Sequence, residues 1–507
     1  MSYLGLDIGT TGAKAGLFRG DGQLSALAYR EYSLKSPEPG WAELDSERVC
    51  AACLDAMGEA VAACPADPVR ALSISSQGEA FTPVDSEGNI LAGAMVSSDA
   101  RAVPLIDPWC ERFGRKRLYE LTGHTPHPMF SLFKLLWLKE HRPEAWSKAA
   151  RFLCFEELMQ TRLGIEPAIS WPLAGRTMLF DVRAHAWAPE ILETVGLEPE
   201  RLAPPVPSGS VVGTIPSEVA RRLGLPEGVQ VVAGGHDQPC GALGAGVVEP
   251  GRAMYATGTV ECICPAFNRL LLEDNLFQNN LCTYDYTLEG LYTTVLFSLT
   301  GGNLLKWFRD QWGGIEMAKA ELQSEDPYEL LLETMDSEPT DLLALPYFTP
   351  SGTPYFDAKV PGALLGLRLN TTRGQVLRGL LEGVALEMRL NVDILQQAGL
   401  AIEEFRAIGG GAKNPALTQL KADVLGRPIT TLAVTEAGCL GVAMLACAAD
   451  TGTPAGELAA SWVKPQSVVE PHSRRAARYD HQFQAYKEVY PFLRDFYWRV
   501  DGNGTAG

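Results

Sequence analysis

The chain of 507 residues is 46% hydrophobic and 21% charged, the balance of a globular protein rather than of a disordered or fibrous one. Because single hydrophobic cores stop growing at about 250 to 300 residues, this length predicts two domains. The formal net charge of −18 argues against nucleic acid as a partner, since binding a polyanion requires clusters of Lys and Arg, but it does not exclude a small phosphate ligand held by loop amides.

The N-terminal segment and the cysteines favour the cytoplasm as the location. The first residues carry no basic stretch followed by an apolar one, and no later run of about 18 residues is apolar and uncharged. We therefore expect neither secretion nor a membrane as a partner. Eleven cysteines, an odd number spread over a long chain, indicate reduced thiols. Cys50 and Cys53, like Cys262 and Cys264, lack a second pair at zinc-site spacing, so no metal–thiolate centre is expected.

The first predicted elements form an antiparallel meander. Alternating patterns predict strands at residues 3–7, 13–18 and 24–32, joined by turns at 9–12 and 20–22. The turn Gly9-Thr10-Thr11-Gly12 is named the first glycine turn below. A Rossmann fingerprint or a P-loop places its glycines between a strand and a helix, and neither GxGxxG nor GxxxxGKS/T occurs. The sequence therefore argues against both of these nucleotide-binding folds.

Helical and strand patterns alternate through the rest of the first half. A helix is predicted at residues 46–63, a strand at 69–75 and a helix at 131–140. A proline-rich stretch at 199–216 precedes a strand at 229–233. This alternation predicts an α/β architecture.

The second half begins with a pattern that echoes the start of the chain. A strand at 252–256 runs into Thr257-Gly258-Thr259, named the second glycine turn, and the echo indicates two related halves. A long helix is predicted at 371–397, followed by a strand at 404–408 that ends in three glycines. The next helix is predicted to have Asn414 as its N-cap and Gly426 after its end. A last helix at 436–449 is rich in Gly and Ala, which permits close packing on a sheet.

Five segments together resemble the FGGY carbohydrate kinases, which are related to actin, hexokinase and the Hsp70-type ATPases. They are residues 7–14 (DIGTTGAK), 129–140, 234–238 (GGHDQ), 257–259 (TGT) and 409–414 (GGGAKN), in the family's order and spacing. The resemblance implies an α/β fold with two ribonuclease-H-like (actin-like ATPase) domains and an active-site cleft between them. Residues 1–247 would carry the acceptor site, the first phosphate hairpin and the catalytic base. Residues 248–507 would carry the second phosphate hairpin and the adenosine site.

The resemblance also implies ATP and Mg²⁺ as cofactors. Glycines let the backbone approach phosphate closely, and threonines supply hydroxyl donors. Asp7 would hold Mg²⁺ through water, because this ion keeps much of its hydration. The nucleotide-binding residues that the resemblance implies are Gly9, Thr10, Thr11, Gly12, Thr257, Gly258, Thr259, Gly302, Gly410, Gly411 and Asn414.

Asp237 resembles the family's catalytic base. Phosphoryl transfer needs positioning, charge neutralisation and an oriented nucleophile, so a carboxylate that aligns the acceptor hydroxyl and takes its proton late in transfer is expected. The residues expected to line the acceptor pocket are Gln77, Glu79, Asp99, His236 and Asp237. For Asp99 an alternative interpretation, an ion pair with Arg101 that holds a loop, stands equal to substrate contact.

The identity of the acceptor is where the sequence departs from its relatives. Gln77-Gly78-Glu79 keeps the glutamate of the glycerol kinases but has glycine in place of their arginine, and the tryptophan common in relatives is missing from residues 97–101. The pair His236-Asp237 resembles the sequence of the kinases of 6-deoxy ketohexoses. Each such substitution can change the preferred sugar. The expected acceptor is a small open-chain sugar, a ketopentose such as xylulose, with a polyol, glycerol or a 6-deoxy ketohexose as alternatives.

Two other classes of protein are alternatives to a kinase. An ATP-dependent sensor or chaperone-like ATPase would leave Asp237 without a purpose, and the sequence contains no added DNA-binding domain, basic patch or peptide-binding extension. A metal-dependent phosphohydrolase is the other. The expected partners are a small-molecule sugar or polyol and a second copy in a homodimer, with no nucleic acid and no membrane.

Overall fold

The computed structural model describes residues 1–504, without the side chains of residues 501–504, so the last three residues of the second predicted domain lie outside the described residues. A six-stranded mixed sheet forms the centre of the first half. Its strands, in spatial order, are Val211–Thr214, Gln230–His236, Val69–Ser76, Ser2–Ile8, Gly12–Arg19 and Leu24–Glu31. The predicted meander is confirmed, because the last three of these strands pair antiparallel one after another.

A second six-stranded sheet forms the centre of the other half. Its strands, in spatial order, are Leu296–Ser298, Glu261–Pro265, Arg252–Thr257, Glu404–Ile408, Ile429–Leu432 and Pro465–Val469. In both sheets a central strand pairs antiparallel with the next strand of the chain and parallel with a later one. Each glycine turn therefore follows the central strand of its own sheet, as the echo between the two halves predicted.

The remaining elements surround these sheets. Short antiparallel pairs are Glu43–Leu44 with Ala94–Met95, Phe81–Val84 with Arg151–Cys154, Phe180–Asp181 with Ala186–Trp187, Tyr284–Asp285 with Tyr292–Thr293 and Leu343–Leu345 with Ala363–Leu365, and Ile169–Ser170 runs parallel to Pro205–Val206. The helices are Ser46–Ala62, Val103–Phe113, Arg115–Thr122, Ser131–His141, Pro143–Lys148, Phe155–Arg162, Trp171–Gly175, Pro189–Val195, Pro199–Arg201, Ser217–Arg222, Asp237–Gly244, Asp274–Gln278, Gly302–Trp312, Gly314–Gln323, Pro327–Glu333, Arg373–Gln397, Gly410–Lys413, Pro415–Leu425, Ala437–Thr451, Ala455–Trp462 and Ser473–Gly504. Among the residues that the structure describes, no helix is long and apolar enough to cross a membrane.

The predicted helix boundaries in the second half are close to the observed ones. The side chain of Asn414 accepts hydrogen bonds from the backbone N–H groups of residues 416 and 417, and Gly426 ends the helix in the left-handed conformation. The long helix starts at Arg373 rather than at 371, because Thr372 and Gln375 form a capping box at its N-terminus. The N-cap and C-cap predictions are thus confirmed.

One helix of the second half covers the first sheet and joins the two halves. Helix Ala437–Thr451 packs on strand Ser2–Ile8, where a Cβ on Gly5 would lie 2.0 Å from the carbonyl oxygen of Cys439. It also packs on helix Asp237–Gly244, where a Cβ on Gly244 would lie 1.8 Å from the carbonyl oxygen of Ala437. Residues from both halves consequently share one hydrophobic cluster.

Candidate active site

Asp7 lies near the end of the first central strand. Its Oδ1 accepts a hydrogen bond from the Ser75 hydroxyl at 2.7 Å, and burial raises the pKa of its carboxyl above the usual value. A Cβ on Gly438, at the start of helix Ala437–Thr451, would lie only 2.7 Å from Oδ2 of Asp7. Glycine at this position therefore keeps the second carboxylate oxygen clear of side-chain atoms.

Hydrogen bonds within the protein hold the first glycine turn in place. The backbone N–H of Gly9 donates to the carbonyl oxygen of Gly12 at 3.0 Å, and the carbonyl oxygen of Gly9 accepts from the Tyr32 hydroxyl at 2.6 Å. The Gln77 amide donates to Gly9 at 3.1 Å and accepts from the hydroxyl of Thr10 at 3.3 Å. The turn thus presents the exposed Thr10 and Thr11, while Gln77, predicted to contact the acceptor, is 3% exposed and holds this turn.

The second glycine turn has one buried and two exposed residues. Gly258 and Thr259 are exposed, whereas the hydroxyl of the buried Thr257 accepts a hydrogen bond from Nζ of Lys421 at 2.7 Å. The backbone N–H of Gly302, the first residue of helix Gly302–Trp312, donates to the carbonyl oxygen of Gly258 at 2.9 Å. Thr257 is therefore an anchor, and residues 258 and 259 are the accessible part of the turn.

The predicted adenosine residues contact the second glycine turn in different ways. Gly409 has a φ of 89°, and a Cβ there would lie 2.5 Å from the carbonyl oxygen of Thr257. A Cβ on Gly411 would lie 2.2 Å from Cγ2 of Thr257, while one on Gly410 would meet nothing within 4 Å. Gly409 and Gly411 permit close packing, Gly410 leaves open space, and Oδ1 of Asn414 caps the following helix.

Asp237 is the first residue of helix Asp237–Gly244, directly after strand Gln230–His236. The strand was predicted to end at 233. It continues instead, with a register shift between Val232 and Gly235, where a Cβ on Gly234 would lie 1.9 Å from the carbonyl oxygen of Ile74. The Asp237 side chain is 29% exposed, and burial, followed by the charges of Asp7 and Glu79, raises its pKa to about 7.

Glu79 forms a buried ion pair that sequence reasoning missed. Its Oε1 accepts from Nε of Arg176 at 2.5 Å and its Oε2 from the hydroxyl of Ser97 at 2.5 Å, and Glu79 is 2% exposed. Its φ of 65° is unusual for a residue with a Cβ. The carbonyl oxygen of Glu79 accepts from Ser131 and from the buried Lys134, which hold this conformation.

His236 brings a residue of the second half to the site. Its Nδ1 lies 2.8 Å from the hydroxyl of Tyr284, a fully buried residue, and its Nε2 lies 3.2 Å from Oδ1 of Asp237. Burial and the charge of Arg176 hold the pKa of His236 well below its usual value, so the ring is neutral. A Cβ on Gly78 would lie 3.0 Å from this ring, which explains why glycine stands there.

The carboxylate of Asp99 forms hydrogen bonds with other groups of the protein. Its carboxylate accepts from the backbone N–H of Ala42 at 2.6 Å and from Nε and Nη2 of Arg101 at 2.9 and 2.7 Å. The Arg101 guanidinium stacks on Trp41 at 3.9 Å, and the Asp99 side chain has no exposed surface. This geometry favours the ion-pair alternative; the acceptor role of Asp99 stays a prediction.

Three residues that the sequence reasoning did not select therefore belong to the site. Arg176 could have been noticed as the one charge within the apolar run 171–180, because a buried charge requires a partner. Lys421 carries a similar signal, since it lies among apolar residues of helix Pro415–Leu425. Nothing in the local sequence marks Tyr284, whose contacts come from distant segments.

Known proteins are similar to this chain over nearly its whole length. The FGGY family of carbohydrate kinases, N-terminal domain, matches residues 2–244, and its C-terminal domain matches residues 254–449. The chain is 26% identical to the xylulose kinase of Bacillus subtilis (strain 168) over 98% of both chains, and 30% identical to the glycerol kinase of Thermococcus kodakarensis over 96% of both. The fold matches a ligand-bound xylulose kinase from Lactobacillus acidophilus with a TM-score of 0.90 at 23% identity, over 98% of this chain and 99% of that one.

The two related α/β halves define a two-domain fold of the actin-like ATPase type, as the sequence predicted. The chain belongs to the FGGY family of carbohydrate kinases. It is therefore an enzyme that transfers a phosphoryl group to a hydroxyl group of a carbohydrate, and the sensor, chaperone-like and phosphohydrolase alternatives give way to the kinase. The boundary predicted between residues 247 and 248 and the roles of the individual site residues stay predictions.

Proposed function

We propose that the protein phosphorylates a ketopentose such as xylulose with ATP, and that Asp237 is the base. The observation that carries this proposal is the position of the Asp237 carboxyl. It is partly open to solvent, and its pKa of about 7 is set by burial and by its nearness to Asp7 and Glu79. A carboxylate with this pKa accepts a proton more readily than an ordinary aspartate does.

The remaining site residues are proposed to position the two substrates. Glu79, oriented by Arg176 and Ser97, would contact sugar hydroxyl groups beside Asp237. The exposed residues of both glycine turns would contact the phosphates, and the open space at Gly410 leaves room for the adenosine moiety. Asp237 would align the acceptor hydroxyl and take its proton late in the transfer, because the hydroxyl is a weak acid.

Asp7 is the residue proposed to hold Mg²⁺. Among residues 1–500, whose side chains are described, no group of three or more His, Cys, Asp or Glu side chains could hold a metal ion. Mg²⁺ usually keeps several waters and binds one or two carboxylates plus substrate phosphates. The hard oxygen donors of Asp7 and the space left by Gly438 fit such an ion, whose charge would neutralise the phosphates during transfer.

The preference for a ketopentose rests on the relatives, and a second candidate has its own support. The Bacillus relative, which matches almost the whole chain, is a xylulose kinase. Glycerol or another polyol is the second candidate, because Glu79 is kept as in glycerol kinases and the Thermococcus glycerol kinase is 30% identical. A 6-deoxy ketohexose remains the third. We also propose a cytoplasmic location and a homodimer.

The test is ADP release from ATP and Mg²⁺ with a panel of acceptors: xylulose and other ketopentoses, pentitols, glycerol and 6-deoxy ketohexoses. The proposal predicts that ADP release needs an acceptor and is fastest with a ketopentose. The Asp237→Asn variant should lose turnover by a factor of about 1,000 or more while it still binds ATP. Turnover of this variant near the parent rate would overturn the role of Asp237, and faster turnover of glycerol would select the second candidate.

A further inference from the structure

The guanidinium of Arg176 lies among the residues proposed to line the acceptor pocket and is almost entirely buried. Its side chain is 6% exposed, its Nε donates to Oε1 of Glu79 at 2.5 Å, and its Nη2 contacts the same oxygen. A Cβ on Gly78 would lie 3.4 Å from Nε of Arg176 and 3.0 Å from the His236 ring. The space that a side chain at position 78 would fill is therefore bounded by these two groups.

One nitrogen of this guanidinium has no hydrogen-bond partner among residues 1–500, whose side chains the structure describes. Nη1 of Arg176 donates to no group there, yet it is not among the polar atoms that are enclosed without a partner, so it keeps contact with solvent. Arg378 differs in this respect, because it pairs with Glu382 through Nε at 2.8 Å and its Nη1 donates to the carbonyl oxygen of Asp336 at 2.9 Å. Since a buried charge requires hydrogen-bond partners, Nη1 of Arg176 is available to a ligand.

Contacts on several sides hold the guanidinium in position. Cζ of Arg176 lies 5.0 Å from the centre of the Phe130 ring and 5.6 Å from the centre of the Tyr284 ring, and Nη2 lies 3.9 Å from the sulfur of Met129. A guanidinium is attracted to aromatic rings at such distances. These contacts and the ion pair with Glu79 fix the position of Nη1 before the sugar binds.

The two carboxylates of the pocket and the guanidinium suit different oxygen atoms of a sugar. Asp237 and Glu79 can only accept hydrogen bonds when they are ionised, so they match hydroxyl groups and repel a carbonyl oxygen. The open-chain form of a ketopentose has one oxygen that only accepts, its keto oxygen, whereas a pentitol has hydroxyl groups alone. The keto oxygen therefore requires a donor, and the guanidinium of Arg176 has donors and no accepting atom.

We propose that Arg176 determines the specificity of the acceptor pocket by donating a hydrogen bond from Nη1 to the keto oxygen of a ketopentose. The inference rests on the proposed function and adds the residue that distinguishes a ketopentose from a polyol. A hydroxyl group at the same carbon can also accept from Nη1, but it can turn and donate to a carboxylate when the guanidinium is absent. The ketone has no such alternative, so its binding depends more strongly on Arg176.

The test compares xylulose as substrate with xylitol, which has a hydroxyl group at the carbonyl carbon, as a competitor of xylulose phosphorylation. Arg176→Lys keeps a positive charge beside Glu79 but has no nitrogen at the position of Nη1. We expect KM for xylulose to rise about 50-fold and the inhibition constant of xylitol to rise only about fivefold, because one charged hydrogen bond is lost to the ketone alone. Arg378→Lys is the matched control, since Arg378 forms a buried pair with Glu382 in helix Arg373–Gln397 of the second half, and it should leave the ratio of the two constants unchanged.

The outcomes separate this inference from the function it rests on. An equal rise of both constants in Arg176→Lys would overturn the proposal, because Arg176 would then act through Glu79 or through the fold. A ratio that changes as much in Arg378→Lys would overturn it as well. If the parent protein phosphorylates no ketopentose, the proposed function fails; if it does, and the ratio in Arg176→Lys equals that of the parent, only the role of Arg176 fails.

A measurement on the unmodified protein does not depend on the folding of any variant. Xylulose labelled with ¹³C at its carbonyl carbon is bound without ATP, and the infrared stretching band of its C=O group is compared with that of the free open-chain sugar in water. The bound band should lie at lower wavenumber, because a charge-assisted hydrogen bond polarises the carbonyl more strongly than water does. A bound band at or above the wavenumber of the free sugar would overturn the proposal.

Discussion

Replacing Lys421 with methionine should destabilise the second half and weaken ATP binding. Lys421 is 7% exposed; its Nζ donates to Oε1 of Glu261 at 2.5 Å and to the hydroxyl of Thr257 at 2.7 Å. Glu261 is 3% exposed, and its other oxygen accepts from the Tyr255 hydroxyl. Lys421→Met would leave this buried carboxylate without its cation, and breaking a buried pair in this way costs 3–5 kcal/mol. Because Tyr255 still donates, we expect about 3 kcal/mol.

The assay is urea unfolding of the full chain, read as the midpoint of the transition that reports the second half. Lys421→Met should lower this midpoint, and the double variant with Glu261→Gln should recover about 1 kcal/mol or more, because no buried charge then lacks a partner. Lys464→Met is the matched control, since Lys464 is exposed and its Nζ donates to the carbonyl oxygen of Ser461 rather than to a buried carboxylate. Its change should stay within about 0.5 kcal/mol.

The kinetic expectation follows from the contact with the second glycine turn. Without the hydrogen bond from Lys421, the anchor residue Thr257 is free to move, so KM for ATP should rise while KM for the sugar stays constant. A midpoint for Lys421→Met equal to that of the control would refute the claim that the pair is buried and stabilising. A double variant as unstable as the single one would refute the claim that the unpaired carboxylate is the cause.

Three further outcomes follow from the site. The kcat/KM for the sugar should fall as pH drops below about 7, because protonated Asp237 cannot accept a proton, and should level off above it; a pH–rate profile that is flat from 6 to 8 would contradict this. Asp99→Asn should lower the free energy of unfolding by about 2 kcal/mol, because it weakens the pairing of the buried Arg101, with KM for the sugar unchanged; a tenfold rise in that KM without loss of stability would show substrate contact instead. Gly438→Ala should raise the Mg²⁺ concentration needed for half-maximal activity, since its Cβ would press on Asp7, and an unchanged Mg²⁺ titration would reject that crowding.

Local patterns predicted those parts of the fold that depend on neighbours in sequence. The meander, the capped helix after Asn414 and both glycine turns were correctly located, because turn glycines, caps and alternation act within a few residues. Strand Gln230–His236 was predicted too short, since Gly234 and Gly235 have low strand propensity, and only the close backbone of Ile74 explains why glycine is needed there.

The site itself was predictable for residue types but less so for contacts. Asp7, Glu79 and Asp237 were each predicted from the sequence, as Mg²⁺ ligand, acceptor contact and base, and the charges of Asp7 and Glu79 both raise the pKa of Asp237. Arg176, the partner of Glu79, and Tyr284, the partner of His236, come from segments distant in sequence. Sequence alone could not place them, because no local pattern records which side chain fills the space beside a buried carboxylate or imidazole.

The helix Ala437–Thr451 lies against a sheet made by the opposite end of the chain, and this constrains any attempt to recombine FGGY kinases. A chimera that takes its acceptor half from one relative and its nucleotide half from another would create a new interface along this helix. At this interface, carbonyl oxygens of one half lie so close to glycines of the other that no Cβ would fit. Donor sequences for such hybrids should therefore be chosen by whether they keep glycine at the positions of Gly5 and Gly244, before any matching of sugar preference.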